Sequence, residues 1–297
     1  MSETEIRRKD IGAAAAEAGS AVCNVCFRHC VIPEGRTGAC RARRCEGGRI
    51  VCSNYGWSTS IALDPIEKKP LHDFYPGSRI LSVGSFGCNL KCAFCQNYTI
   101  SMAGAGDVRS ERYTPEELSD LASRLRPEGN IGIAFTYNEP LVGWEFVRDT
   151  ARLVHSRGMK NVLVTNGTAS VEVLEELLPY IDAMNIDLKA FSEDFYRNIT
   201  CGNFEMTKEF IRRAVSACHV ELTTLLITGK NDREEEIRAE SAWIAGLNHG
   251  RGRQIPLHLT RYFPRYQMRI PATDVNEVYE LADAAREYLD HVYIGNC

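Results

Sequence analysis

The sequence predicts an α/β fold: a partial (β/α)6 barrel closed by one further strand, with a cysteine-rich extension in front of it. From residue 80 onward, short β-branched runs alternate with amphipathic stretches, the pattern of βα units around a parallel sheet. Six of the twelve cysteines lie before it, within residues 23–52. The length of 297 residues suits one large α/β domain or two small ones. We expect three segments: an N-terminal extension at 1–20, a cysteine-rich segment and strap at 21–78, and the barrel at 79–297.

Periodicity and capping signals predict the elements of the barrel. A capping box of Thr114 and Glu117 begins one helix, Gly158 ends the next, and Ser170 and Asp274 begin two others. The predicted strands cover residues 80–85, 131–137, 161–166, 183–188, 220–227, 255–260 and 292–294.

The strap (residues 64–78) precedes the first of these strands. It contains three prolines, which forbid a regular helix, and several charged residues. We expect it to pack as a loop across one end of the barrel.

Composition excludes some classes of function. The net charge of −4 gives no electrostatic case for binding nucleic acid or an anionic membrane. No apolar run approaches the roughly 20 residues of a membrane span, and residues 1–20 lack the pattern of a signal peptide. Twelve cysteines without an export signal favour a reducing compartment, so we expect a cytoplasmic protein.

The cysteine loop (residues 87–97) follows the first predicted strand. Its three cysteines, Cys88, Cys92 and Cys95, are called the loop cysteines here, and their spacing lets the sulfurs point at one centre. Thiolates are the usual ligands of iron–sulfur clusters. Three cysteines leave one iron of a 4Fe–4S cluster open to a small molecule. A zinc knuckle or a redox thiol loop is the alternative interpretation.

A second group of cysteines lies near the N-terminus. Glycines interrupt regular structure there, so a metal would have to supply stability that a core cannot. Zinc, a second iron–sulfur cluster and free packed thiols all remain open. The best four ligands, called the N-terminal cysteines here, are Cys23, Cys26, Cys30 and Cys40.

Polar residues follow the second and third predicted strands, where barrel enzymes place their chemistry. Asn138 and Glu139 come after the second strand, and a proline stiffens the turn that holds the carboxylate. Thr165 and Asn166 end the third strand with short polar side chains that suit close approach of a ligand. The structural alternative for Glu139 is a carboxylate at the start of a helix, and the alternative for Thr165 and Asn166 is a simple turn.

The fourth and sixth strands add charged and titratable groups. Alternation along a strand puts Asp187 and Lys189 on one side, as an ion pair or as two contacts to a ligand. His258 lies on the sixth strand, where it is either a hydrogen-bonded core residue or a group at the barrel mouth.

Two patterns in the sequence resemble a known family. The spacing C-x3-C-x2-C, with an aromatic residue before the last cysteine, resembles the signature of the radical S-adenosylmethionine (SAM) superfamily. The order Asp-Pro-Ile-Glu-Lys-Lys-Pro-Leu at 64–71, together with the N-terminal cysteine pattern, resembles the branch related to pyruvate formate-lyase activating enzymes. That branch includes the radical SAM protein of the AmmeMemoRadiSam system.

The resemblance implies a fold, cofactors and roles for residues. It implies a partial TIM-type barrel in which the amino and carboxylate groups of SAM chelate the open iron of a 4Fe–4S cluster. One electron then cleaves SAM to methionine and a 5'-deoxyadenosyl radical. Glu139 matches part of a motif that binds the SAM amino group, Asp187 and Lys189 match SAM contacts of the activases, and His258 lies near SAM. Val164 stands where those activases often have an aspartate that helps to hold a monovalent cation. Whether this chain has such a cation site is therefore an open alternative.

We therefore predict a radical SAM enzyme related to glycyl-radical activating enzymes. Its expected partners are an electron donor such as flavodoxin or ferredoxin and a protein substrate. The alternative within the class is AmmeMemoRadiSam-type modification of another protein or a small molecule. Outside the class, a ferredoxin-like electron carrier or a zinc-stabilised binding module remains.

Overall fold

A computed structural model describes residues 19–248 and 254–297. Of the predicted extension at 1–20, only the last two residues lie within this range, so most of that segment is outside the described residues. The described chain begins with two antiparallel pairs. Their strands are β1 (Ser20–Val22), β2 (Val31–Pro33), β3 (Arg43–Glu46) and β4 (Arg49–Cys52).

The centre of the molecule is an eight-stranded sheet with the order β14-β13-β12-β11-β10-β9-β7-β6. Seven of its strands are parallel, and β6 pairs antiparallel with β7 at one edge. The remaining strands are β5 (Trp57–Ser58), β6 (Ser60–Pro65), β7 (Arg79–Gly84), β8 (Glu111–Arg112), β9 (Asn130–Phe135), β10 (Lys160–Thr165), β11 (Ala183–Asp187), β12 (His219–Leu226), β13 (Leu257–Arg261) and β14 (Val292–Gly295).

Helices connect the parallel strands. They are α1 (Tyr98–Ser101), α2 (Pro115–Arg124), α3 (Trp144–Ser156), α4 (Val171–Leu177), α5 (Glu193–Phe195), α6 (Phe204–Val215), α7 (Glu234–Asn248) and α8 (Val275–Arg286). The predicted capping box of Thr114 and Glu117 is present, and Ser170 and Asp274 cap their helices as predicted. The six βα units and the closing strand of the predicted fold are therefore confirmed.

The main core lies between the sheet and these helices. In α3 the buried side chains include Phe146, Val147, Ala151 and Val154, an apolar stripe with helical spacing that faces the sheet. In the described residues, none of the helices combines the length and apolar content that a membrane span requires.

The strap packs at the amino ends of the parallel strands. Ile66, Leu71 and Phe74 form a buried cluster with Ala134 and Val162 of β9 and β10. Strap residues also line a cavity with Lys160 and His219, the first residues of β10 and β12, and with Asp182 and His291, which directly precede β11 and β14. The carboxyl ends of the strands therefore remain for the cysteine loop and the predicted site residues.

Candidate functional site

The cysteine loop begins at a position that only glycine can occupy. Gly87 has φ +91°, and a Cβ there would lie 2.6 Å from the carbonyl oxygen of Cys40. Asn138 holds the same region from the turn after β9. Its Oδ1 accepts from the Ser85 N–H at 2.9 Å, and its Nδ2 donates to the Gly87 carbonyl at 3.0 Å. The start of the loop is thus held on one side by the Cys40 backbone and on the other by the side-chain amide of Asn138.

The loop cysteines are held as buried or half-buried thiols. Burial raises the pKa of Cys92 to about 12, although the positive charge of Lys189 opposes this shift. Burial also raises the pKa of Cys88 well above its usual range. The Leu90 N–H donates to the Cys88 sulfur at 3.4 Å. Such thiols become thiolates when a metal replaces the proton. Three sulfurs on one short loop are therefore a donor set that fits an iron–sulfur cluster.

Glu139 joins the ends of β9 and β10. It is 3% exposed, and its carboxylate accepts from the Leu141 N–H at 3.0 Å, the Thr165 hydroxyl at 2.7 Å and the Asn166 N–H at 2.8 Å. Burial raises the pKa of Glu139 to about 7, although these hydrogen bonds oppose the shift. The predicted residues Glu139, Thr165 and Asn166 therefore lie together, and Glu139 also caps the short helix that follows it.

Asn166 connects this group to the cysteine loop. Its Nδ2 donates to the Asn89 side-chain oxygen at 2.9 Å and lies 3.7 Å from the Cys88 sulfur. Asn89 in turn donates to the Thr168 hydroxyl at 2.9 Å. Asn89 is buried, and sequence reasoning missed its role. The signal that could have found it is an asparagine placed between two cysteines of a metal-binding motif.

Asp187 and Lys189 lie on one side, as strand alternation predicts, and form an ion pair, one of the two predicted alternatives. Their Oδ2 and Nζ atoms are 2.7 Å apart at the carboxyl end of β11. Burial alone would lower the pKa of Lys189, but Asp187 and the nearby Cys92 raise it above its usual range. A permanently cationic lysine beside the loop cysteines stabilises thiolate charge there.

His258 lies in a different cluster. Its Nε2 is 2.6 Å from Glu221, and its ring stacks on Tyr293 and meets His72 of the strap edge to face. Glu221 also accepts from the backbone N–H groups of His72 and Asp73, both at 2.9 Å. These contacts in the described residues do not join His258 to Glu139 or Lys189, so its predicted contact with SAM stays a prediction.

The strap segment that carries the family resemblance contains a buried ion pair. Asp64 accepts from Lys69 Nζ at 2.9 Å, from Lys68 Nζ at 2.9 Å and from the Tyr137 hydroxyl at 2.7 Å. Tyr137 has φ +72°, an unusual conformation for a bulky residue, and it immediately precedes Asn138. The ion pair therefore holds the turn that presents Asn138 and its carboxylate neighbour, a role that sequence reasoning missed.

The N-terminal cysteines line one small cavity together with Arg43. Cys45 and Cys52 have other partners, because they donate to the Glu34 carboxylate at 3.6 Å and to the Asn54 side-chain oxygen at 3.0 Å. In the described part of the chain, no three His, Cys, Asp or Glu side chains are grouped as a site for a metal ion.

Comparison with known proteins places this site in a family. A model of the Radical SAM superfamily matches residues 82–240, more than half of the chain. The chain belongs to the radical SAM superfamily. An uncharacterized protein of Methanocaldococcus jannaschii is 38% identical over 278 residues, which cover 92% of this radical SAM chain and 80% of that protein.

Further similarities place this radical SAM protein nearer to one branch. A pyruvate formate-lyase-activating enzyme of Clostridium pasteurianum is 27% identical over 157 residues, 51% of this chain and 63% of that enzyme. The crystal structure of a radical SAM methyltransferase from Sphaerobacter thermophilus has the same fold, with a TM-score of 0.56 and 20% identity over 74% of this chain and 67% of that one. The protein is thus a radical SAM enzyme of the pyruvate formate-lyase activating enzyme-like branch, and its cofactors are a 4Fe–4S cluster and SAM.

Proposed function

We propose that the loop cysteines bind the 4Fe–4S cluster and that the residues at the neighbouring strand ends bind SAM. The observation that carries this proposal is the convergence of three strand ends on the cysteine loop. The Asn166 amide lies beside the Cys88 sulfur, and the charge of Lys189 acts on Cys92. The proposed SAM site comprises Asn138, Glu139, Thr165, Asn166, Asp187 and Lys189. His258 is proposed as a further SAM contact from the family resemblance alone, because its described contacts are with Glu221, His72 and Tyr293.

The cofactors supply one-electron chemistry that ends in removal of a hydrogen atom from a substrate. The chain supplies the placement. Lys189 offers a cation to carboxylate or thiolate charge, and the Glu139 carboxylate offers a counter-charge to an ammonium group. The donors to Glu139 fix the orientation of its carboxylate, so little reorganisation is needed when the ligand binds.

For the substrate, we propose a backbone glycine of a partner protein. The support is the similarity to an enzyme whose name states activation of pyruvate formate-lyase. AmmeMemoRadiSam-type modification of another protein or a small molecule is the competing substrate class. We further propose a flavodoxin or ferredoxin as electron donor and the reducing cytoplasm as the place of action, since a chain with twelve cysteines and no disulfide in its described residues suits a reducing compartment.

The loop cysteine assignment is tested with Cys92→Ala and with Cys297→Ala as a matched control at an exposed position. After anaerobic reconstitution we expect Cys92→Ala to lose about four irons and all binding of SAM, while its circular dichroism stays that of the wild type. Cys297→Ala should keep both iron and SAM binding. A folded Cys92→Ala variant that retains its full iron content and binds SAM would reject the assignment.

A further inference from the structure

The backbone of Lys189 is held by two buried side chains. β11 ends at Asp187, so Lys189 lies two residues beyond the strand. Its N–H donates to the Tyr196 hydroxyl at 3.0 Å, and its carbonyl accepts from the Asn231 side-chain amide at 2.9 Å. Both partners are fully buried. Side chains therefore fix the position of this residue where the strand has ended.

The residues on either side of Lys189 are held in the same way. The Thr224 hydroxyl donates to the Leu188 carbonyl at 2.8 Å. The Phe191 N–H donates to the Glu236 carboxylate at 3.0 Å. Together with the two bonds to the lysine, four side chains bind the backbone of one short segment. Support of this kind from surrounding residues keeps a functional side chain in a defined position.

Tyr196 begins a single π-helical turn, Tyr196–Thr200, whose other end binds the cysteine loop. The Thr200 carbonyl accepts from the N–H of Lys91 at 2.8 Å, and Lys91 directly precedes Cys92. π-helical turns are rare and are frequent at functional sites. This turn is thus bound at one end to the segment that carries the lysine of the proposed SAM site and at the other end to the cysteine loop.

Arg28 joins the end of the π-helical turn to the cysteine loop a second time. Its Nη2 donates at 2.8 Å to the carbonyl of Cys201, the residue after the turn, and its Nε donates at 2.6 Å to the carbonyl of Asn89 in the loop. A Cβ at Gly202 would lie 2.9 Å from the Leu90 side chain, so the two segments are also in direct contact. The end of the turn is therefore fixed against the loop.

The position of Lys189 determines how its charge acts at the cysteine loop. Its Nζ is 2.7 Å from Asp187, and its positive charge opposes the rise in the pKa of Cys92. Because the interaction between charges depends on their separation, a displacement of this lysine would change the electrostatic potential at the loop cysteines.

We propose that Tyr196 is a positioning residue that sets the place of Lys189 relative to the loop cysteines. Its hydroxyl holds the lysine backbone, and its π-helical turn holds the cysteine loop. Asn231 completes the hold from the segment after β12. The inference rests on the proposed function, because it takes Lys189 to act on SAM and on a cluster at the loop cysteines. Tyr196 acts through Lys189 and not by contact with SAM.

Tyr196→Phe tests the role of the hydroxyl, because it keeps the ring in the core. In anaerobically reconstituted protein we expect the affinity for SAM to fall roughly fivefold, the effect of one lost hydrogen bond, as measured by titration calorimetry. Tyr55→Phe is the matched control: it loses a hydroxyl that donates to Asp149 at 2.8 Å, and it should bind SAM as the wild type does. A folded Tyr196→Phe variant with wild-type affinity for SAM would overturn the proposal.

A double-mutant cycle tests whether Tyr196 acts through Lys189. Lys189→Met alone should weaken SAM binding by about tenfold or more, and adding Tyr196→Phe should weaken it no further. A further fivefold loss would show another route of action and reject the positioning role. If Tyr196→Phe does not fold, Asn231→Asp takes its place in the cycle with the same expected result. That substitution keeps an acceptor for the Ile227 N–H and removes the donor to the Lys189 carbonyl.

The midpoint potential of the reconstituted cluster, measured without SAM, separates failure of this proposal from failure of the proposed SAM contact. A nearby cation stabilises the more negative reduced state, so Lys189→Met and Tyr196→Phe should both lower the potential, and Tyr55→Phe should not. A shift in Lys189→Met without one in Tyr196→Phe would reject the positioning role alone. If Lys189→Met binds SAM as the wild type does, the proposed SAM contact is refuted, and a lowered potential in Tyr196→Phe still supports the positioning role.

Discussion

At the scale of single residues, a buried ion pair supports the turn before the candidate site. The side chains of Asp64 and Lys69 are 7% and 3% exposed, and Asp64 also accepts from Tyr137. Removing one partner of such a pair leaves an uncompensated buried charge, which costs about 3–5 kcal/mol. The pair therefore constrains the position of Tyr137 and of the residues that follow it.

Asp64→Asn should lower the free energy of unfolding by roughly 3 kcal/mol, because Lys69 loses its only negatively charged partner in the described residues. Urea denaturation measures the change. Lys68→Ala is the matched control: this lysine binds the same carboxylate but is 68% exposed, so the loss should stay below about 1 kcal/mol. Equal losses in the two variants would show that burial of Lys69 does not matter.

Glu139 gives the site a pH dependence. Its raised pKa of about 7 means that the carboxyl takes up a proton as the pH falls through neutrality. Because only the carboxylate attracts an ammonium group, the affinity for SAM should weaken as the pH falls from 8 to 6. Anaerobic titration calorimetry measures it, with Glu139→Gln as the control that should bind weakly at every pH in this range. A wild type as flat as the control would contradict the proposed contact.

At the scale of elements, the strap is fixed to β12 and β13 by one carboxylate. Glu221 is fully buried and accepts from His219, His258 and two strap N–H groups. Burial would raise its pKa, but these hydrogen bonds lower it to about 2. Since the unfolded pKa of glutamate is about 4.3, this group stabilises the fold above that value, and the contribution is lost as the pH falls from there to about 2.

Glu221→Gln should therefore lower the free energy of unfolding at pH 7 by roughly 3 kcal/mol and flatten its loss in acid. Denaturant titrations between pH 2 and 7 measure both effects. Glu240 on α7 is the matched control: it is also fully buried, but burial raises its pKa to about 8, so it is mostly protonated at pH 7. Glu240→Gln should change stability at pH 7 much less. A Glu221→Gln variant as stable as this control would contradict the anchoring role.

The sequence predicted these elements unequally well. The seven parallel strands lie within about two residues of their predicted bounds, because β-branched runs between helix caps carry the signal locally. The edge strand β6 was missed because Asp64 and Pro65 at its end are typical of a loop. Glu221 was missed because its strap partner lies 149 residues away in sequence, and no local pattern encodes that contact. For the same reason, no local pattern encodes the hydrogen bond of His258 to Glu221 or its ring contact with His72.

At the scale of the whole molecule, the cysteine loop lies between the N-terminal segment and the strand ends of the barrel. On the N-terminal side, Arg28 donates to the Asn89 carbonyl and Cys40 lies against Gly87, whereas Asn138 and Asn166 reach the loop from the barrel. The sequence predicted the two cysteine groups from spacing alone. Their adjacency depends on tertiary packing, and only the structure reveals it.

The most direct test of radical SAM chemistry at the loop cysteines is the formation of 5'-deoxyadenosine by anaerobically reconstituted protein supplied with SAM and dithionite. We expect product from the wild type and from Cys297→Ala, and none from Cys92→Ala. Folded, iron-loaded wild type that forms no 5'-deoxyadenosine, or Cys92→Ala that forms as much as the wild type, would contradict this chemistry.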